Sequence, residues 1–214
     1  MRVLLVDDHA MLRDGLRAVL EKAGVEVIGE AANGHEAIAE ARRTRPDVVV
    51  MDVGMPLLNG VDATRKLVTE MPDVKVIALS MNADRRYVNA MLGAGAAGYV
   101  LKNSASDELL LALASVKRGE RYVTAGLVSG AVDEPAQGRA SRRLESERPL
   151  STREREVLQL IAEGKSSKEI AATLGIAVTT VETHRRQVME KLSLRTIAEL
   201  TKYAIREGLT SGEG

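Results

Sequence analysis

The 214-residue chain has no cysteine, no phenylalanine and no tryptophan, and four tyrosines are its whole aromatic content. The missing cysteine excludes disulfides and thiolate metal sites, and fits a reducing compartment. Without Phe or Trp the core must be built from Leu, Ile, Val, Ala and Met, for which a hydrophobic fraction of 45% suffices. Long apolar runs are also lacking. The opening MRVLLVDDHA is cut at Asp7 and Asp8, far too early for a signal peptide or a membrane span, so a soluble cytoplasmic protein is expected. Net charge is zero, which by itself argues weakly against a nucleic-acid partner. Its distribution says more: residues 1–136 carry 16 basic and 19 acidic groups and residues 137–214 carry 14 and 11, so −3 is followed by +3. A surplus of three is a hint toward a polyanion and nothing stronger.

What is present is an alternation of two periodicities over the first 120 or so residues. Short β-branched runs read as strands at Val3–Val6, Val25–Ile28, Val48–Met51, Val74–Leu79 and Ala96–Leu101. Helical spacing fills the gaps, as in Leu12, Leu16, Val19 and Leu20, or Leu109, Leu110, Leu113 and Val116. Strands apolar on both faces, such as Val48–Met51, belong to a parallel sheet covered on each side. The expectation is an α/β domain at 1–125 with a doubly wound, five-stranded sheet. A linker is expected at 126–147, where periodicity lapses and Arg139, Arg142 and Arg143 form a basic stretch. An all-α, four-helix domain is expected at 148–214.

In an open parallel sheet, ligands bind beyond the carboxyl ends of the strands. Past the first strand stand Asp7 and Asp8, and Asp52 ends the third. Ser80 ends the fourth strand and Lys102 the fifth. Three neighbouring carboxylates repel unless a cation sits among them, and an all-oxygen set suits Mg²⁺. Asp52 could then attack a phosphoryl group, with Lys102 bearing charge on its oxygens and Ser80 donating a hydrogen bond. Any one of these groups alone is as easily an idle loop residue; their convergence at successive strand ends carries the inference.

These residues, with the MDVGMP segment around Asp52 and Gly60, resemble a response-regulator receiver domain. The resemblance implies a flavodoxin-like strand order 2-1-3-4-5 and Asp52 as phosphoacceptor. It implies Asp8 and Asp52 as metal ligands, Asp7 assisting through intervening water, and the Gly54 backbone carbonyl completing the protein's share. It makes Tyr99 a switch aromatic that swings inward behind Ser80; the bland alternative is a half-buried edge-strand ring. Family members often carry Pro after the lysine with a cis bond between them. Here the residue is Asn103, and the geometry is left open. A sensor histidine kinase is the implied partner, and a single-turnover switch is expected in place of a metabolic enzyme.

Beyond residue 150 the pattern is helical. Ser151 with Glu154 and Ser166 with Glu169 read as capping boxes, while Gly164, Gly175 and Gly208 read as helix stops. A short helix to Leu174, a turn at Gly175–Ala177 and a longer helix from Val178 to Leu192 make a helix-turn-helix. Val181, His184, Val188 and Leu192 should face inward. His184 reads as a packing residue, since no second histidine stands near enough to share a metal. The run from Leu150 to Leu209 resembles the DNA-binding domain of the NarL/FixJ class with its LuxR-type helix-turn-helix. That resemblance places Glu182, Thr183 and Arg186 at base edges. It places Thr180, His184, Arg185 and Lys191 near phosphates, and Lys168 at the groove edge. Glu182 is equally readable as a capping carboxylate paired with Thr179. Ala177 stands where the family usually has a capping Ser, so either the cap is lost or the helix starts later. Duplex DNA and RNA polymerase are implied partners, and a homodimer on DNA is implied through Ile197, Leu200, Thr201 and Ala204 of the last helix. Internal packing is the competing use of that stripe. An interaction-only regulator whose second domain does not bind DNA is the alternative function.

Overall fold

The computed structural model describes residues 1–127 and 150–210. The chain forms two compact units that divide inside the undescribed stretch, and each is treated by itself. The expected linker lies outside the described residues apart from its first two positions, as do Arg139, Arg142 and Arg143.

The first unit runs β1 (Arg2–Val6), α1 (Ala10–Lys22), β2 (Glu26–Ala31), α2 (Gly34–Thr44), β3 (Val48–Asp52), α3 (Gly60–Glu70), β4 (Lys75–Ser80), α4 (Arg85–Gly93), β5 (Gly98–Leu101), α5 (Ala105–Lys117) and β6 (Tyr122–Val123). Every strand pairing is parallel, in the order β2-β1-β3-β4-β5-β6. Successive residues alternate between two apolar layers. Leu4, Val6, Val49, Met51, Val76, Ala78 and Tyr99 pack toward α2, α3 and α4. Val3, Leu5, Val48, Val50, Ile77, Leu79 and Val100 pack toward α1 and α5. Period-two side chains buried on both faces explain why these strands read as continuous apolar runs.

The sixth strand corrects the five expected. It adds to the edge beyond β5 through Tyr122 N–H to the Ala97 carbonyl (3.1 Å) and Thr124 N–H to the Tyr99 carbonyl (3.0 Å). Two residues are too short to show a periodicity, and Gly119 with φ of 80° turns the chain back just before them.

The second unit contains, among the described residues, α6 (Thr152–Ala162), α7 (Ser167–Leu174), α8 (Val178–Leu192) and α9 (Ile197–Arg206). The boxes at Ser151/Glu154 and Ser166/Glu169 close as expected, and Thr196/Glu199 forms a third that opens α9. Helix α8 starts at Val178 behind Ala177, whose side chain caps nothing. Val157, Leu158, Leu160, Ile170, Val181, Val188, Leu200 and Ala204 make the small core. Two ion pairs clamp it. The Arg153 guanidinium meets buried Glu156 (2.6 Å) and donates to the Leu174 carbonyl at the end of α7 (2.8 Å). Lys191 reaches from α8 to buried Glu154 on α6 (2.7 Å).

Candidate phosphoacceptor site and nucleic-acid interface

The register of the central strands sets Val6 beside Met51, Asp52 beside Leu79, and Ser80 beside Leu101. Four strand ends therefore finish along one edge, and their polar residues meet. Lys102 Nζ lies 2.7 Å from Asp7 Oδ2 and 2.8 Å from Asp52 Oδ2, with all three side chains buried. Asp8 stands at the mouth with about a third of its side chain exposed, at 30%. Asp7, Asp8, His9 and Asp52 each offer a ligand atom within 4.8 Å of the others.

Three carboxylates against one ammonium leave two negative charges, which is what one divalent cation would neutralise. Burial pushes the Asp52 carboxyl above the usual carboxylate range. Lys102 pulls it back, and neighbouring Asp7 pushes the same way as burial. Lys102 is itself penalised by burial, but Asp52 and Asp7 together hold it above the ordinary lysine value and keep it charged. Among the described residues Asp7 Oδ2 has no donor on a good hydrogen-bond line, although Lys102 sits close beside it. The donor set, hard oxygens with residual negative charge, fits a cation such as Mg²⁺.

The β3–α3 loop folds back over Asp52. Gly54 N–H points at Asp52 Oδ1 (3.3 Å), and a side chain at Gly54 would meet nothing within 4 Å. Leu58 N–H donates to the Pro56 carbonyl (2.8 Å), a three-residue reversal that holds Leu57 at φ of 68°. Gly60 N–H then returns to the Val53 carbonyl (3.0 Å). A Cβ at Gly60 would fall 2.0 Å from the Asp52 carbonyl oxygen, so only glycine lets α3 start against Asp52.

On the far side, Ser80 Oγ accepts from Asn82 N–H (3.0 Å), and Tyr99 OH donates to the Asn82 carbonyl (2.8 Å). Asn82 Oδ1 in turn accepts from Asp84 N–H (2.8 Å), and Asp84 caps α4. Tyr99 is fully buried, and burial pushes its hydroxyl up to about 12. The ring is fully buried, so the half-buried alternative does not describe it. The Lys102–Asn103 peptide bond is trans.

In the second unit α7 and α8 form the helix-turn-helix around Gly175, which takes the left-handed conformation (φ 62°). Thr180, Glu182, Thr183 and Arg186 are exposed on α8 and Lys168 on α7; Arg185 and His184 are half-buried. A groove of about 600 Å³ runs along the outer side of α8 and includes Glu182, Arg185, Arg186 and Arg195.

Comparison with known proteins settles the class. Residues 3–114 match the response regulator receiver domain, and residues 148–204 match the bacterial regulatory proteins of the luxR family. The chain belongs to the response regulators. It is 40% identical to the transcriptional regulatory protein MctR of Rhizobium johnstonii, over all of this chain and 97% of that protein. It is 39% identical to the oxygen regulatory protein NreC of Staphylococcus epidermidis, over 98% and 99% of the two chains. Among solved structures it resembles a DNA complex of the two-component response regulator RcsB (29% identity, TM-score 0.57, covering 95% of this chain and 96% of that one). It also resembles RcsB of Salmonella typhimurium (28%, TM-score 0.56, covering 95% and 97%).

Within this response regulator the anticipated residues fall into two groups. Asp7, Asp8, Asp52, Gly54 and Lys102 come together at one sheet edge, and Ser80 and Tyr99 are joined through Asn82 just past the end of β4. The helical residues need three corrections. Glu182 is not the capping partner of Thr179, because the helix begins earlier; it accepts from the Ser167 hydroxyl of α7 and faces Arg185 at 3.8 Å. Lys191, expected near a phosphate, is occupied by Glu154. Leu200 and Ala204 are fully buried inside their own domain, so of the anticipated dimer stripe Ile197 and half-buried Thr201 remain accessible, joined by exposed Ile205. His184 packs as expected, with Nδ1 buried and, among the described residues, without a hydrogen-bond partner.

Three residues went unnoticed in the sequence. His9 follows the acidic pair directly and turns Nδ1 back to Asp8 Oδ1 (2.9 Å), a position that its adjacency alone could have flagged. Arg13 donates to the Asp7 carbonyl. Arg195, in the turn after α8, lines the groove beside Arg185 and Arg186. No spacing signal marks the last two.

Proposed function

We propose that the receiver domain (1–125) accepts a phosphoryl group on Asp52 from a sensor histidine kinase, and that this controls sequence-specific DNA binding by the domain at 148–214. The observation that carries the reading is the buried Asp7–Lys102–Asp52 contact, with both ammonium distances below 3 Å, at the open edge of a parallel sheet. An Asp52 oxygen attacks phosphorus; the new P–O bond forms as the bond to the donor's leaving group breaks, and the leaving group takes that electron pair. Lys102 offers its charge to the phosphoryl oxygens. Ser80, which ends the neighbouring strand, offers its hydroxyl to the same group. Open space over Gly54 leaves a path for water and for later hydrolysis. Asp8, Asp52 and the Gly54 carbonyl, with Asp7 in the outer sphere, would hold Mg²⁺, which supplies charge neutralisation there.

On the DNA side, Arg186 is exposed and among the described residues has no ion-pair partner, which suits a bidentate contact to guanine. Thr183 stands with it at the base edges; Thr180 and Arg185 face the backbone, and Lys168 the groove edge. Two copies on adjacent half-sites supply the affinity a single small domain lacks, meeting through the Ile197 and Thr201 side of α9. Intact-mass measurement after treatment with acetyl phosphate and Mg²⁺ tests the acceptor. The wild type gains one phosphoryl group, and Asp52→Asn gains none. An adduct that survives in that variant moves the site elsewhere and breaks the reading.

A further inference from the structure

Asp7 and Asp8 sit on the loop between β1 and α1, and that loop is not held by the sheet alone. Among the described residues its one strand-type bond beyond Val6 is Asp7 N–H to the Ala31 carbonyl (3.1 Å). The Asp7 carbonyl, one peptide further along, is taken by a guanidinium: Arg13 Nη1 of α1 donates to it. The same guanidinium turns its Nε to Glu30 Oε2 on β2 (3.1 Å), with 16% of the Arg13 side chain exposed. Glu30 is gripped a second time by Arg17, one turn along α1, through Nε to Oε1 (2.7 Å). Arg17 touches Glu30 and Glu21, and among the described residues no contact carries it to Asp7. Two arginines of equal charge thus share one carboxylate, and one of them alone reaches the loop that bears the acids.

We propose that Arg13 is a positioning residue of the phosphoacceptor site: anchored by Glu30, it fixes the Asp7 carbonyl and so sets the placement of Asp7 and Asp8 for a divalent cation. The inference rests on the reading of the acidic cluster as a cation site. An ordinary surface ion pair contributes little and would leave the cluster unaffected. Groups that orient ligands from behind shift metal affinity by about 10–100-fold. Because Arg13 acts through a backbone carbonyl and not on a carboxylate itself, the lower end of that range applies.

The sign of the effect separates positioning from plain electrostatics. A guanidinium beside a cation site repels the cation, so on charge alone its removal strengthens binding. Positioning demands the reverse for Arg13 and nothing for Arg17. The test is Mn²⁺ binding to the unphosphorylated full-length chain, read by electron paramagnetic resonance of the free ion, with a thermal melt of each variant. Arg13→Ala is expected to bind about tenfold more weakly, Arg17→Ala as tightly as wild type or slightly more so, and Arg13→Lys to recover part of the loss, since an ammonium can still reach the carbonyl. Should Arg13→Ala lose its fold at the assay temperature, the comparison of Arg13→Lys with Arg17→Ala reads the same quantity. Equal or tighter binding by folded Arg13→Ala overturns the proposal, as does an equal loss in Arg17→Ala. If the wild type binds no Mn²⁺, or Asp8→Asn binds it unchanged, the cation reading itself falls and the inference falls with it.

Discussion

Replacing Gly60 by alanine should cripple the receiver domain, and the size of the effect follows from three distances. The added methyl would lie 2.0 Å from the Asp52 carbonyl oxygen, 2.9 Å from its carbonyl carbon and 3.0 Å from Val53 Cα. Non-bonded heavy atoms settle near about 3.5 Å, so α3 and the end of β3 must part by roughly an ångström or more. No flexible side chain is available to yield, because all three contacts are backbone. Overpacking of that kind costs about 1–3 kcal/mol. Separation also breaks the 3.0 Å bond from Gly60 N–H to the Val53 carbonyl, at about 1 kcal/mol. A total near 3 kcal/mol lowers the melting temperature of a unit this size by on the order of 10 °C. Because the displaced atoms belong to Asp52, labelling by acetyl phosphate should fall even well below the melting point. Gly54→Ala is the matched control: its methyl meets nothing within 4 Å, and its φ lies outside the left-handed region. It should melt with the wild type. Calorimetry and intact mass on both variants decide the matter, and a Gly60→Ala protein that melts and labels like wild type would refute the reasoning.

Ala177→Ser should stabilise the DNA-binding domain by about 1 kcal/mol, because Ala177 has extended dihedrals close to those of the capping serines at 151 and 166; denaturation of the isolated fragment from residue 144 checks this. In the same fragment Leu200→Ala should cost about 2–5 kcal/mol, whereas exposed Ile197→Ala should leave stability near wild type and weaken self-association, read by sedimentation on paired-site DNA. Asp52→Asn should raise the melting temperature at neutral pH in the presence of a chelator. The raised Asp52 pKa means that the folded state disfavours the carboxylate. Its stabilising contribution is therefore present below the unfolded pKa and lost as pH rises through the folded one. The advantage of the variant should shrink as the pH is lowered toward the ordinary carboxylate range, and a constant gap across that range would contradict the assigned cause.

The receiver was legible because its chemistry sits where topology must put it. Once Val3–Val6, Val48–Met51 and Val74–Leu79 are recognised as parallel strands, Asp7, Asp52 and Ser80 are obliged to share an edge, and the 2.7–2.8 Å contacts of Lys102 complete what spacing implied. Local rules likewise succeeded for the helix ends, since a capping box needs four residues and no tertiary context. Two kinds of feature escaped. Strand β6 is two residues long, below any periodicity. Long side chains that reach across elements leave no local trace: Lys191 could serve a phosphate or Glu154, and Arg13 could be a solvated cation or the anchor of Asp7, with sequence spacing identical in each case. Spacing reveals the apolar stripe of α9, but packing against α6 decides which of its members face the core, and Leu200 and Ala204 turn inward.

The central claim is that phosphate on Asp52 governs DNA binding by α8. It is tested most directly by selecting bound fragments from genomic DNA and measuring their affinity for three proteins: phosphorylated wild type, unphosphorylated wild type and Asp52→Asn exposed to the phosphodonor. The account predicts that the phosphorylated form binds the selected paired sites about 5–150-fold more tightly than the other two, and that Arg186→Ala loses that preference. Equal affinity of all three proteins for those sites would contradict it.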